Sequence, residues 1–219
     1  MGLPQNPPVK GLKCFGFFRV FRVFRGEEEF HLNPDYALRS DRKPPWLRVS
    51  VRASDGRLRG VLDGLHTVCQ EARCPNQWEC FSKGTATFLL MGDVCTRNCR
   101  FCGVRSEVPA PLDRSEPERV AEAVARMELE YVVLTSVTRD DLEDGGAGHF
   151  VRTVRKIRER CPTIRVEVLI PDFEGDERAL ATLLECAPEV VGHNIETVPR
   201  LYRTVRPGTD YERSIEVLR

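Results

Sequence analysis

From Thr85 onward the chain alternates short apolar runs with helical stripes, and this alternation limits the fold more than any other feature. Residues 86–91 form a short apolar run closed by Gly92, which predicts a first strand. Ser115-Glu116-Pro117-Glu118 predicts a capping-box helix start, and Val120, Val124 and Met127 then share one helical face. Residues 131–134 are continuously apolar, as in a strand buried on both sides, residues 165–170 predict a third strand, and residues 189–195 a fourth. Asp144-Gly145-Gly146 breaks the chain between the second strand and a helix striped by Phe150, Val154 and Ile157. Leu180, Leu183 and Leu184 mark a further helix, and residues 202–205 and 211–218 two short ones around Pro207-Gly208. Repeated strand–helix units with buried strands imply a parallel sheet with right-handed crossovers. Four strands are too few to close a barrel, and the pattern stops at Arg219 without a cap. Further strands are therefore expected to be missing from the C-terminal side.

Ahead of this repeat the chain changes character. Residues 1–45 are expected to be a poorly ordered extension; residues 15–25 alternate apolar residues with arginine, and no acidic residue precedes Glu27. An organelle transit peptide shares that arginine-rich, acid-poor start, but serine is absent until Ser40. A secretory cleavage site is lacking, and Asn6 stands where myristoylation needs Ser or Thr. Pro44 and Pro45 predict an extended entry with Trp46 as packing anchor, and residues 61–65 a short helix. The expected division is thus 1–45, then a segment at 46–84, then the strand–helix part at 85–219.

Charge and length exclude several classes. With 219 residues the chain suits one domain, or a barrel somewhat below the usual size. Lys+Arg and Asp+Glu balance at 33 each, so a nucleic-acid partner is not expected. No apolar run approaches the roughly 18 residues of a membrane helix, so no membrane span is expected.

Nine cysteines are the compositional outlier, and six of them, Cys69, Cys74, Cys80, Cys95, Cys99 and Cys102, fall within 34 residues. An odd count without a secretory signal argues for metal ligation over a disulfide scaffold. Cys95, Cys99 and Cys102, at C-x3-C-x2-C directly after the first strand, can hold three corners of an iron–sulfur cube and leave the fourth iron open for chemistry. Cys69, Cys74 and Cys80, at C-x4-C-x5-C, match no zinc-finger or ribbon spacing. Pro75, Asn76 and Trp78 predict a loop around them that wraps a second cluster, the alternative being buried thiols in a small core. Cys14, Cys161 and Cys186 read as a tail thiol and two small hydrophobes.

In such βα architectures functional groups gather at the C-terminal strand ends. The first strand leads into Asp93 and the cysteines, the second into residues 135–141, the third into Pro171-Asp172, and the fourth into His193-Asn194-Ile195-Glu196. Asp140 and Asp141 suit an ammonium or ribose hydroxyl and Arg139 a carboxylate, or else all three belong to a well-capped loop. Asn194 and Glu196, two apart on an extended strand, share one face and point into a barrel mouth or join a buried network. His66 and His149 are assigned no functional role, His149 opening a helix and His66 packing.

The C-x3-C-x2-C group with the βα repeat resembles the radical S-adenosylmethionine (SAM) enzymes, and the upstream C-x4-C-x5-C group, ending fifteen positions before Cys95, narrows this to the lipoyl synthases. The resemblance runs from about Lys43 to Arg219. It continues through Lys83-Gly-Thr-Ala-Thr-Phe88, Gly92-Asp-Val-Cys-Thr-Arg97, Pro111-Leu-Asp113, Thr135-Ser-Val-Thr-Arg-Asp-Asp-Leu142, Val168-Leu-Ile-Pro-Asp-Phe173 and His193-Asn-Ile-Glu-Thr-Val-Pro-Arg200. It implies an α/β fold, a partial (β/α)6 TIM-like barrel behind an N-terminal cluster-binding extension, with the C-terminal strands missing. It implies Cys95, Cys99 and Cys102 on a SAM-binding 4Fe–4S cluster, with Ser136, Arg139, Asp140, Asp141, Asn194 and Glu196 as candidate SAM contacts. Cys69, Cys74 and Cys80 would hold a second 4Fe–4S cluster, consumed as sulfur donor.

The implied reaction uses adenosyl radicals to insert sulfur at C6 and C8 of an octanoyl chain on a lysine of a lipoyl carrier domain. Implied partners are octanoylated carriers (2-oxoacid dehydrogenase E2 subunits, glycine cleavage H protein), a ferredoxin or flavodoxin, and an iron–sulfur carrier that rebuilds the spent cluster. A bacterial cytoplasm is the implied place, the mitochondrial matrix the alternative. The family's second cluster takes a serine from an Arg-Ser pair near the C-terminus. Arg213-Ser214 lies elsewhere in the pattern, so no serine ligand is assigned. Rival readings are another two-cluster sulfur-inserting radical SAM enzyme, such as a methylthiotransferase or biotin synthase, and an inactive iron–sulfur-binding fragment.

Overall fold

The computed structural model describes residues 60–72 and 74–219, all within one compact unit, Ser50–Arg219. The expected extension at 1–45 and the Trp46 anchor lie outside the described residues. Strand β1 (His66–Thr67) leads into helices α1 (Val68–Glu71) and α2 (Gln77–Ser82). Strand β2 (Thr85–Leu90) follows, and then a small pair, β3 (Val94–Cys95) and β4 (Arg105–Ser106). Then come α3 (Glu116–Arg126), β5 (Tyr131–Ser136), α4 (Ala147–Arg160), β6 (Arg165–Ile170), α5 (Glu177–Leu184) and β7 (Val190–His193). Two short helices, α6 (Tyr202–Val205) and α7 (Tyr211–Val217), close the order. No helix among the described residues is long and apolar enough to cross a membrane.

The main sheet runs β1-β2-β5-β6-β7, with β1 antiparallel and the rest parallel, as the strand–helix repeat requires. Register sets Phe88 beside Leu134, Leu134 beside Val168, and Val168 beside Val191. Along the inner three strands Phe88, Leu90, Val132, Leu134, Val166 and Val168 are fully buried. They belong to one core with Val120 and Val124 of α3, Phe150, Val154 and Ile157 of α4, and Leu183 of α5. The continuous apolar runs predict burial on both faces. Instead Tyr131, Val133 and Thr135 are only half-buried and Arg165 is exposed, because the helices cover one face of the sheet. β7 carries this furthest, with Val190 43% and Val191 38% exposed.

Three local expectations are corrected. Residues 61–65 form turns, not a helix, between Gly60 and Gly64 in the left-handed region. Ser115 caps α3 without its side chain, which donates to Asp113 Oδ1 at 2.6 Å instead. Glu118 points outward to Lys156 at 3.1 Å, so no capping box forms. Finally, Trp78 and Cys80 lie in helix α2 where a loop was expected. The turn before α4 needs glycine for space: a Cβ on Gly146, at φ +92, would collide with the Met91 sulfur.

Candidate metal centre

Strand β2 ends at Leu90, and Met91 and Gly92 both take positive φ, turning the chain across the strand end. Glu116 holds that turn: Met91 N–H donates to its Oε2 at 2.9 Å, and the buried His149 Nε2 donates to the same oxygen at 2.6 Å. His149, given no function from sequence, thus ties helix α4 to the start of the cysteine loop. The loop closes on itself through the parallel pairs Val94–Arg105 and Cys95–Ser106, so Cys95, Cys99 and Cys102 share one excursion above the sheet.

That excursion is clamped to two strand ends. Arg97, between the first two cysteines, makes a two-pronged bond to Asp140 at 2.7 and 2.8 Å, just past β5. Its Nη2 also reaches Asp172 Oδ1 at 2.7 Å, just past β6. Thr96 Oγ1 adds a donation to the Thr138 carbonyl at 3.0 Å and accepts Asp140 N–H at 3.1 Å. Burial works against the Arg97 charge, but the bonds to Asp140 and Asp172 outweigh it and raise its pKa. Asp172 is fully buried, which pushes its carboxyl up, yet the Arg97 guanidinium holds it below the usual carboxylate range. A buried carboxylate survives only with such partners.

The thiols of the loop sit in unlike surroundings. Cys95 Sγ accepts two backbone N–H groups, from Thr138 at 3.3 Å and Arg97 at 3.4 Å. Burial raises the Cys99 thiol pKa, nearby Cys102 and Cys95 raise it further, and Arg206 pulls it down. The upstream group behaves alike. Burial raises Cys69 and Cys80, Cys74 adds to both, and Cys69 adds to Cys80. Each set therefore brings three thiols within electrostatic reach of one another. Among the described residues no three His, Cys, Asp or Glu side chains converge on a point that one metal ion could fill. Thiolates of an iron–sulfur cube bind separate irons and need no such single point, so that absence does not bear on a 4Fe–4S cluster.

The remaining candidates fall into three kinds. Arg139 is buried and makes its own two-pronged bond to Asp141, at 2.8 Å on each side, and that bond lowers the Asp141 pKa. With Asp140 held by Arg97, the expected acceptors for ammonium or ribose are engaged within the protein. Ser136 Oγ is buried without a hydrogen-bond partner, and strand alternation puts Ser136 on the side of Leu134 and the helices. Asn194 and Glu196 do not share an extended strand face, because β7 stops at His193 and Glu196 takes φ +66. Sequence reasoning assigned no role to Arg97, Asp172 or Arg206. The usable signal was an arginine inside a metal loop facing a chain with acidic residues past two strand ends. A cavity of about 240 Å³ beside the loop, lined by His66, Met91, Asp93, Pro111, Glu116 and Arg119, touches none of the six clustered cysteines.

Comparison with known proteins agrees with this arrangement. Residues 89–219 match the model of the radical SAM superfamily. A lipoyl synthase of Caldicellulosiruptor saccharolyticus is 57% identical over 183 residues, covering 81% of this chain and 64% of that protein. Lipoyl synthases of Caldanaerobacter subterraneus subsp. tengcongensis and Nitratidesulfovibrio vulgaris are 54% and 53% identical, covering 81% and 85% of this chain. The chain spans 63% and 64% of their lengths, a little under two thirds. Among solved structures, methylornithine synthase has a TM-score of 0.47 at 14% identity over 74% of this chain and 54% of that one, too slight a likeness to argue from. A 4Fe–4S cluster and SAM go with the superfamily. With its three-cysteine loop seated at a parallel strand end and the superfamily match over 89–219, this chain, similar to lipoyl synthases, belongs to the radical SAM superfamily.

Proposed function

We propose that the protein is a lipoyl synthase, inserting two sulfur atoms at C6 and C8 of an octanoyl chain carried on a lysine of a lipoyl carrier domain. One observation carries the proposal: Cys95, Cys99 and Cys102 share the loop closed by β3 and β4 after the end of β2, and Cys69, Cys74 and Cys80 lie in and between the short helices α1 and α2 before that strand. Relatives 53–57% identical, all lipoyl synthases, support it. Cys95, Cys99 and Cys102 would hold the SAM-binding cluster; Cys69, Cys74 and Cys80 would hold a second cluster that serves as the sulfur-donating substrate. Of the strand-end residues, Asn194 and Glu196 remain the candidates to hold SAM, since the pairs Arg97–Asp140 and Arg139–Asp141 engage one another. In this reading the sheet is part of a (β/α)6 barrel, residues 46–84 form the second cluster's segment, and residues 1–45 an extension.

Radical chemistry suits the substrate because C6 and C8 of a fatty chain bear no acidic proton, so a general base cannot open them. The bound cluster and SAM supply an adenosyl radical for this purpose. The protein's part is positional. Arg97 and Glu116 fix the loop whose cysteines would hold the cluster, and the helix-covered core holds the strand ends beside that loop. Carrier domains of 2-oxoacid dehydrogenases or the glycine cleavage system, a ferredoxin or flavodoxin, and an iron–sulfur carrier are the proposed partners, in a bacterial cytoplasm.

Anaerobic reconstitution tests this directly, and about eight irons in two cubane clusters are expected. Cys69→Ala is expected to keep SAM cleavage and lose sulfur insertion into an octanoyl-lysine peptide, whereas Cys99→Ala loses both. One zinc in place of iron, or lipoyl product from Cys69→Ala, overturns the assignment.

A further inference from the structure

The described residues contain three buried arginines near the cysteine loop, and they are treated differently. Arg97 meets two carboxylates and Arg139 meets one. Arg206, only 8% exposed, bonds to neutral oxygens instead: its Nη1 donates to the Asn194 carbonyl at 2.7 Å and to Tyr202 Oη at 3.0 Å. Its guanidinium carbon also lies 5.6 Å from the centre of the Tyr202 ring. Burying a cation costs heavily unless an anion lies near. Among the described residues Arg206 has no carboxylate within ion-pairing distance, so the fold sets an uncompensated positive charge at one place.

That place faces the cysteine loop. Arg100 N–H donates to the Val205 carbonyl at 2.9 Å, which docks the turn between Cys99 and Cys102 onto the end of α6, one residue before Arg206. From there its positive charge bears on the Cys99 thiol and pulls its pKa down against burial. Tyr202 is itself held, donating to the Ile195 carbonyl at 2.7 Å with Ser214 Oγ 3.1 Å away, so the arginine cannot swing aside freely. The three loop thiols are therefore unequal. Cys95 receives two neutral backbone donors, Cys99 lies under the pull of a buried cation, and Cys102 is exposed.

We propose that the Arg206 guanidinium is the charge that sets the reduction potential of the cluster held by Cys95, Cys99 and Cys102. Deepening the function proposed above, it rests on that reading. Three thiolates on a 4Fe–4S core make the anion that the buried guanidinium lacks, and adding an electron makes that anion more negative. A fixed positive charge at one corner stabilises the reduced form more than the oxidised form, and so raises the potential. The charge is what distinguishes this position, because a neutral donor there would favour both forms more evenly.

An anaerobic redox titration by electron paramagnetic resonance, following the signal that SAM perturbs, tests this in the full chain. Arg206→Gln keeps donors and loses the charge; its reduction equilibrium is expected to fall about tenfold, a shift of ~59 mV to more negative potential for one electron. Arg206→Lys is expected to lie between wild type and Arg206→Gln. Equal potentials in wild type and Arg206→Gln, at equal iron content, overturn the role of Arg206 alone. A wild-type protein that takes up no 4Fe–4S cluster overturns the reading beneath it. Should Arg206→Gln fail to fold, Tyr202→Phe releases one anchor of the guanidinium, and a smaller negative shift is expected. No shift there overturns the proposal.

Discussion

The two cysteine sets differ in how far the protein alone holds them. Cys95, Cys99 and Cys102 sit in a loop closed by β3 and β4, clamped by Arg97 to the ends of β5 and β6 and by Glu116 at its root. Cys69 and Cys80 sit in helices of four and six residues beside the two-residue strand β1, with Cys74 between them. Helices this short are marginal without outside support. Burial of Cys69 is what the sheet contributes there. The first set is held by the protein's own ion pairs; under the proposed function the second would draw part of its order from its metal. If the proposed function holds, the first would carry a permanent cofactor and the second a cluster that is consumed and rebuilt.

Breaking the clamp should have the largest effect. Asp172→Ala leaves the Arg97 guanidinium buried with one partner fewer, and the expected loss is about 3–5 kcal/mol of unfolding free energy in denaturant titration. Asp140→Asn spares the deeper partner and keeps an acceptor, so a loss of about 1–3 kcal/mol is expected in the same measurement. If both cost less than a surface substitution, the loop is not held by its ion pairs.

Acid should sharpen the same contrast. The Asp172 pKa is depressed in the folded state, so its contribution is present above the ordinary carboxylate pKa and is lost as pH falls through the depressed folded value. The wild-type melting temperature should therefore decline across and below the ordinary carboxylate range. In Asp172→Asn that decline should be shallower, as seen by calorimetry at stepped pH. A parallel decline in both proteins would remove Asp172 from the account.

Removing metal separates the sites. After chelation, amide exchange is expected to rise more in α1 and α2 than in residues 95–106, because only the second region keeps its clamp. Equal increases would contradict the difference between the sites. The smallest effect is at Thr67, whose Oγ1 accepts Gln70 N–H at 3.2 Å and caps α1. Thr67→Ala should cost about 1 kcal/mol, and should lower iron retention at the upstream site while leaving the loop site unchanged.

Much of the parallel sheet was legible because its signal is local. Residues 131–134 are a continuous apolar run and residues 165–170 a strand pattern stopped by Pro171, and each became a strand within two residues of expectation. The cysteine spacings were equally visible, as covalent neighbours in a row. What stayed hidden were pairings between distant positions, such as Arg97 with Asp172 or His149 with Glu116. Asp140 and Asp141 look alike in sequence, yet one faces Arg97 and the other Arg139. Ser115 and Glu118 spelled a capping box, and Asp113, two residues ahead, took the serine instead.

By itself the sequence determined the βα repeat, the grouping of six cysteines and their suitability for iron–sulfur chemistry, since each follows from residue type and spacing along the chain. Only the tertiary structure decided which charges meet. It left one face of the sheet half-bare, ended β7 before Asn194, clamped one cysteine set and not the other, and buried Arg206 next to the point where the cysteine loop docks. The reason is the range of the forces involved. Apolar periodicity acts over a few residues, whereas the sign and partner of a buried charge depend on segments that meet only when the sheet has formed.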